Sequence, residues 1–316
     1  MISVVIPAFN EGDSIGLTVS RVREVMEQAE IGEFEILVVD DGSRDQTGAV
    51  ATRAGATLIS NPHNLGYGRS LKRGISAAQY DIIAITDADM TYPIERIPEL
   101  LAEYHRGFDM VVGQRQHEYY RDSALKRPMR RILKFLVEYA AGRKIPDINS
   151  GLRVFDRNTT IAYFNHTCDT FSFTTSLTLA YMMNGRFVGY LPIEYHERVG
   201  QSKVRLFRDS LRTLQYIVEA LVYFNPLKAF LLLSAILGAG AMLSFGLGAV
   251  IKINAFYYFG VGGLMLAVLT MCMGFLAVLL KQIMLQSGGE ALNKSRSQAK
   301  PDVRKKKADL PNGART

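Results

Sequence analysis

Two stretches constrain this chain more than any other feature: residues 229–251 and 253–280 contain no Asp, Glu, Lys or Arg. As helices, these uncharged runs of 23 and 28 residues would reach about 35 and 40 Å, against roughly 30 Å for the hydrocarbon core of a bilayer. Soluble cores are not uniformly apolar around two whole helices. The runs therefore predict two transmembrane helices, about 227–251 and 256–280, within a membrane segment 226–280. The link Lys252–Ala255 is short enough to force a hairpin whose two ends emerge on one side. Lys228 and Lys252 stand near span ends, where a lysine can snorkel, so neither suggests transport.

Charge is uneven in a way that supports this layout. From Lys281 onward there are nine Lys or Arg and three Asp or Glu, so the tail holds +6 of the formal +7. The excess is a tail and not a face of a globular part, which argues against nucleic-acid binding. Basic residues from Arg205 to Arg212 and from Lys281 to Lys307 flank the hairpin and place that side in the cytoplasm. The tail, 281–316, is expected to be basic, disordered and cytoplasmic. Only Cys168 and Cys272 are present, too few for a disulfide framework, which reads as a reducing compartment. The start, Met1 to Pro7, lacks a basic segment and a long apolar core, so no signal peptide is expected.

Before the first run, residues 204–225 alternate as an amphipathic helix. Leu211, Leu214, Val218 and Leu221 form one stripe, with Arg205, Arg208, Arg212, Gln215 and Glu219 elsewhere. Such a helix could cap the soluble core, but its place directly before Asn225 and Pro226 favours the membrane surface.

Residues 1–203 have a different texture. Short β-branched runs at Ile2–Ile6, Glu35–Val39, Thr57–Ile59, Ile82–Thr86 and Met110–Val112 read as strands. Helical patterns lie between them; in 14–29, Ile15, Val19, Val22 and Met26 recur at steps of four, three and four behind Asp13 or Ser14 as the N-cap. This is an α/β alternation with a mostly parallel sheet. Farther on the pattern predicts helices over 123–141 and 173–184, a turn at Asn149–Gly151 and a strand at 187–193, without fixing their order in space. Ligands of parallel sheets sit beyond the C-terminal strand ends, so Pro7–Glu11, Asp40–Ser43 and Asp87–Tyr92 should meet in one crevice. Asp87 and Asp89 there offer two hard oxygen ligands suited to Mg²⁺ or Mn²⁺. Taken alone, that pair fits a solvated turn better than a metal site. His63, His105, His117, His166 and His196 show no ligand spacing, and no zinc site is expected.

Several motifs occur in order at strand ends: Val4 to Glu11, Val38 to Ser43 with Asp45 and Thr47, Asn64-Leu65-Gly66-Tyr67-Gly68, and Asp87-Ala88-Asp89. With these the chain resembles the family-two inverting glycosyltransferases of the GT-A fold, and among them the polyprenyl-phosphate hexose synthases similar to dolichyl-phosphate mannose synthase. The resemblance implies a Rossmann-like nucleotide-sugar-binding domain over 1–203. It implies that Pro7, Phe9, Glu11, Asp40, Asn64, Gly66, Lys72 and Lys203 handle the donor together with Asp87, and that Asp87 and Asp89 hold the metal. Asp41 is either a donor ligand or structural. The glycines either contact phosphate or only punctuate a turn before a helix whose N-terminus can face anions. Gly113-Gln114-Arg115 resembles the family's strand-end arginine. Arg130 and Arg131 fall where it keeps acceptor-phosphate arginines, and Asn149 to Phe155 is similar to its Ser-Gly-Phe-Arg-Leu-Phe element. Arg198, Ser202 and Lys203 match the residues that close the site.

Asp87, Asp89, Arg115, Arg130 and Arg198 are thus the expected catalytic set, with Arg115, Arg130, Arg131 and Ser202 at the acceptor phosphate. For Lys126, Arg127 and Arg131 a solvated basic face fits as well. Thr91 replaces the family's glutamine and is a poor third metal ligand, Arg69 replaces a small residue and Lys134 a serine. The implied activity is inverting, metal-dependent transfer of a hexose from a UDP- or GDP-sugar to an undecaprenyl or dolichyl phosphate. It belongs at a bacterial or archaeal plasma membrane before an ER membrane, with membrane lipid as a partner and a homo-oligomer left open. A processive polysaccharide synthase is the alternative of the same class, but its Gln-x-x-Arg-Trp element cannot exist in a chain without tryptophan. A sugar nucleotidyltransferase would need a glycine-rich loop where Pro7 to Glu11 stand. An inactive membrane scaffold is the alternative of a different class.

Overall fold

The computed structural model describes residues 1–116, 127–196 and 206–298, with side chains at 127–130, 133, 206–213 and 285–298 outside that description. Two compact units emerge, Met1–Phe224 and Asn225–Thr316. The first is built on a seven-stranded sheet: β1 (Ile2–Ala8), β2 (Phe34–Asp40), β3 (Thr57–Ser60), β4 (Ile82–Ile85), β5 (Met110–Arg115), β6 (Arg153–Asp156) and β7 (Val188–Ile193). Their spatial order is β3-β2-β1-β4-β6-β5-β7. The first four run parallel, and β6 runs antiparallel to both its neighbours. Every strand predicted from the pattern is present; β6, four residues long, was not anticipated.

Register sets up the crevice. Ala8 pairs with Asp40, so β1 and β2 finish level, while β4 stops at Ile85 opposite Val5 and the turn after it runs on toward the same end of the sheet. Alternate residues of β1 serve opposite faces, as the twofold strand period requires. Helix α1 (Ile15–Gln28) lays Ile15, Val19, Val22 and Met26, all fully buried, into the core with Ile2, Val4 and Ile6. These are the four positions spaced as one helical face. Ser14 is the N-cap residue, but its side chain caps no helix N–H and turns back to Glu11.

The remaining helices of this unit are α2 (Thr47–Arg53), α3 (Tyr67–Ala77), α4 (Ile97–His105), α5 (Arg127–Ala141), α6 (Arg157–Ala162), α7 (Phe173–Met183) and α8 (Leu206–Phe224). Helix α8 departs from the single apolar stripe expected of it. Ile217, Ala220 and Leu221 are buried, whereas Val218, Val222 and Tyr223 are exposed. Packing against α5 and α7 claims one face of α8 and leaves a second apolar strip outside.

The second unit is a hairpin of α9 (Pro226–Ile251) and α10 (Asn254–Gln298). Lys252 ends α9 in the left-handed conformation, and only two residues separate the helices. Ser234 Oγ donates to the Ala267 carbonyl and Ser244 Oγ to the Phe256 carbonyl, so ten steps along α9 match eleven back along α10. Phe230 and Phe245 fill the spaces beside Gly274 and Gly260. Small-residue holes and hydroxyl-to-carbonyl bonds are how helices associate where lipid is the solvent. Both helices are long and apolar enough to cross a membrane, and their apolar windows are mostly unburied. Helix α10 continues past residue 280 to Gln298, so the first part of the tail expected to be disordered is helical; 299–316 lie outside the described residues.

Candidate active site

Three strand ends converge on a cavity of about 320 Å³. Pro7 comes from the end of β1, Phe9 and Glu11 from the loop after it, Asp87 and Asp89 from the turn after β4, and Asn64 and Gly66 from the loop entering α3. A second depression, about 560 Å³, shares Phe9 and Asn64 with the first and adds Asp40, Ser43, Arg44 and His63. Nine donor-site residues were expected; seven of them, Pro7, Phe9, Glu11, Asp40, Asn64, Gly66 and Asp87, line these two connected hollows.

The loops after β1 and β2 are laced together. Asn10 N–H donates to Ser43 Oγ and Arg44 N–H to Asn10 Oδ1, at 2.9 and 2.8 Å. Glu11 N–H donates to Thr47 Oγ1 and Gly12 N–H to Asp45. Asp40 Oδ1 accepts from Ser43 N–H. Burial opposes charge on Asp45, yet its bonds from Thr47 and Gly12 hold its carboxyl below the ordinary range.

Asp41 lines the cavity and is also tied into the fold. Its Oδ1 accepts from Asn61 Nδ2 and Leu65 N–H, and its Oδ2 from Gly66 N–H, all within 2.9 Å. Arg69 N–H donates to the Asp169 carbonyl. The Leu65, Gly66 and Arg69 N–H groups around the start of α3 thus have partners within the protein. The glycines explain the arrangement: a Cβ on Gly68 would sit 2.4 Å from the Cys168 carbonyl oxygen. Gly66, at φ +103°, lets the chain turn there.

Lys72 was expected on the donor. Its ammonium instead donates to the Phe164 and Thr167 carbonyls and to Asp169 Oδ1, at 2.9, 2.7 and 2.6 Å. Three donors are all a lysine has. Lys72 is therefore a stitch that holds segment 164–169 onto α3, and that segment carries Thr170 and Phe171 into the cavity wall. Arg115 is likewise committed to a protein partner. Its Nε and Nη2 fork onto the two oxygens of Asp147 at 2.7 and 2.9 Å, and its guanidinium stands 5.3 Å from the Tyr195 ring. Burial would raise Asp147, but the fork and the charge of Arg115 outweigh it and leave the carboxyl below its usual range. Neither Lys72 nor Arg115 lines the cavity.

Arg131 is exposed on α5. Arg130 lies in α5 with its side chain outside the described residues, as do Arg198, Ser202 and Lys203 entirely.

At the acidic pair, Thr91 donates its hydroxyl to Asp89 Oδ1 at 2.6 Å and its N–H to the same oxygen at 3.2 Å. Met90, at φ +58°, makes this tight turn. Thr91 is thus a hydrogen-bond donor to a carboxylate and not a third metal ligand. Among the described residues no group of three or more His, Cys, Asp and Glu could hold a metal. Two carboxylates at the bottom of a cavity still fit Mg²⁺ or Mn²⁺, which take one or two carboxylates and fill the shell with water and substrate phosphate.

The sequence reading gave no role to Tyr67, Thr170 or Phe171, all of which line the cavity. Tyr67 OH donates to Asp87 Oδ1 at 3.0 Å. Burial, together with the Asp87 charge, pushes this phenol well above its ordinary value and keeps it a donor. Tyr67 sits inside a glycine motif already recognised, so the signal was there; nothing in the sequence around Thr170 and Phe171 marks them.

The sequence profile of Glycosyl transferase family 2 matches residues 3–164, just over half of the chain. The chain is 29% identical over 261 residues to an undecaprenyl-phosphate 4-deoxy-4-formamido-L-arabinose transferase of Klebsiella pneumoniae, a match covering 80% of this chain and 76% of that one. Among solved structures it resembles glucosyl-3-phosphoglycerate synthase of Mycobacterium tuberculosis in complex with Mn²⁺, UDP and glucosyl-3-phosphoglycerate. That match has a TM-score of 0.55 and 19% identity over 70% of this chain and 79% of that one. A second mycobacterial protein matches with a TM-score of 0.57 and 20% identity over 70% and 74%. At these identities the structures speak for the fold, a GT-A domain, here followed by two long apolar helices.

Proposed function

Because the chain belongs to glycosyl transferase family 2, we propose that it moves a hexose from a UDP- or GDP-sugar to the phosphate of a membrane polyprenol, inverting the anomeric carbon. One observation carries this reading: an acidic pair in a cavity joined to a second, nucleoside-sized hollow, in a chain that also bears two membrane-length helices. The Klebsiella relative, named for an undecaprenyl-phosphate acceptor, supports the lipid side.

Asp40, Ser43 and Asn64 supply polar partners for ribose and base, and Pro7 and Phe9 an apolar wall. Asp87 and Asp89 would hold Mg²⁺ or Mn²⁺, which when bound supplies positive charge for a departing diphosphate. An acceptor phosphate oxygen forms the new bond to the anomeric carbon from the side opposite the diphosphate. The old carbon–oxygen bond breaks, and its electron pair leaves with the nucleoside diphosphate. A phosphate monoester with a second pKa of about 6 is already ionised at neutral pH, so no side chain need take a proton. Alignment of the two substrates then does most of what catalysis requires. The acceptor-phosphate role of Arg130, Arg131, Arg198 and Ser202, and the donor role of Lys203, rest on the family resemblance. In this scheme Lys72 and Arg115 act from behind the cavity, Lys72 by holding the segment that carries Thr170 and Phe171 and Arg115 through its pair with Asp147. Basic flanks at Arg208, Arg212 and Lys281 favour a cytoplasmic side for the catalytic unit and both termini.

The test is a panel of radiolabelled UDP- and GDP-sugars incubated with membranes containing the protein and polyprenyl phosphate. The relative's named sugar is an arabinose derivative, so a pentose donor belongs in the panel. One labelled lipid product is expected, and Asp89→Ala should reduce it at least about 10²-fold, the scale of losing an electrostatic stabiliser, while the protein stays folded and membrane-bound. No labelled lipid with any donor would defeat the proposal.

A further inference from the structure

The carboxylate of an aspartate turns easily about its last torsion, whose preference is broad and roughly twofold. A metal ligand of this kind therefore needs its plane set from outside. Asp87 is held in that way by two neighbours. Tyr67 OH donates to its Oδ1 at 3.0 Å. Gly151 lies against the carboxylate so closely that a Cβ there would be 2.9 Å from Oδ1, 3.0 Å from Oδ2 and 3.1 Å from Cγ.

Both holders are themselves fixed. Tyr67 opens α3 between Gly66 and Gly68, where segment 164–169 is stitched down by Lys72, and its ring is 5.8 Å from that of Phe171. Gly151 N–H donates to Tyr92 OH at 2.7 Å. Beneath it Arg153, fully buried, donates Nε to the Ser150 carbonyl at 2.7 Å and Nη2 to the Ile148 carbonyl at 3.0 Å. A buried guanidinium committed to two carbonyls of one turn makes that turn rigid.

We propose that Tyr67 and Gly151 are positioning residues that lock the plane of the Asp87 carboxylate, so that a divalent cation meets a ligand already oriented. The inference rests on the metal-bearing donor site proposed above. Groups that orient a metal ligand typically contribute about 10- to 100-fold in affinity. Tyr67→Phe removes one hydroxyl and nothing else, so it isolates the lock from the packing of the ring. Gly151→Ala puts a methyl where the carboxylate now lies.

Detergent-purified full-length protein is titrated with Mn²⁺, alone and with UDP or GDP, and free and bound Mn²⁺ are read by electron paramagnetic resonance. Asp87→Ala should lose Mn²⁺ binding. Tyr67→Phe should weaken it about tenfold or more and broaden the bound Mn²⁺ spectrum, with circular dichroism unchanged. Gly151→Ala should weaken it at least as much; should that variant fail to fold, Tyr67→Phe decides alone. Binding by Tyr67→Phe within about twofold of the parent, where Asp87→Ala has lost it, overturns the lock and leaves the metal site standing. Unchanged binding in Asp87→Ala, or none in the parent, overturns both.

Discussion

Arg115 and Asp147 meet where their side chains are only 15% and 10% exposed, so breaking the pair leaves a charge with little water. Asp147→Ala should destabilise the catalytic unit by about 3 kcal/mol, the scale for orphaning one member of a buried pair, measurable by denaturant unfolding. The Asp147 carboxyl is held below its ordinary value. Its stabilising contribution is therefore complete above the unfolded carboxylate pKa of about 4 and disappears as pH falls through the lower folded value. Acid unfolding of the parent should show this loss and that of Asp147→Ala should not. Residue type told only part of this story. Asp87 and Asp89 were legible because they follow an apolar strand and topology aims strand ends into the crevice. Arg115 was legible as a strand-end arginine, but its partner Asp147 lies 32 residues on, beyond any local pattern. The bonds of Lys72 were out of reach for the same reason, its carbonyl partners being more than 90 residues away.

At the level of elements, segment 164–169 depends on one ammonium. Lys72→Met should remove the charged donor from the Thr167 carbonyl and Asp169, the Phe164 carbonyl keeping its bonds from Thr167, and cost about 1.5–3 kcal/mol, the range for hydrogen bonds to a charged group. Thermal melting reads the loss, and faster amide exchange at 164–171 than elsewhere would locate it; uniform protection would argue that the glycines alone hold the segment. The strands from β1 to β5 could be read because each is a β-branched run between polar turns. Strand β6 could not, since Arg153–Asp156 offers four residues, two of them charged, and its charged Arg153 points into a fully buried site. It is antiparallel in an otherwise mostly parallel region, and its entry turn is what brings Gly151 to Asp87. Helix α8 was visible by its period, but which strip faces inward depends on α5 and α7, which the stripe alone does not encode.

For the whole molecule, the catalytic unit has its own core and the hairpin its own interface, so removal of residues 225–316 should leave the first unit folded. Its activity toward long polyprenyl phosphates should drop about a hundredfold more than toward short soluble analogues, because tethering raises the effective concentration of a lipid acceptor. Equal losses on both acceptors would show that the hairpin does something other than bring the enzyme to lipid. The two spans were the most legible part of the chain, since the absence of charge over such lengths needs no tertiary context. The connection between them has a further consequence. With Ile251 ending one helix and Asn254 beginning the next, the bilayer's far surface meets almost no extended polypeptide. With both termini on the cytoplasmic side, as proposed above, proteases supplied outside intact cells would find no cleavable loop, antibodies no epitope and membrane-impermeant reagents little to label, whereas the same probes admitted to the cytoplasm would reach nearly everything.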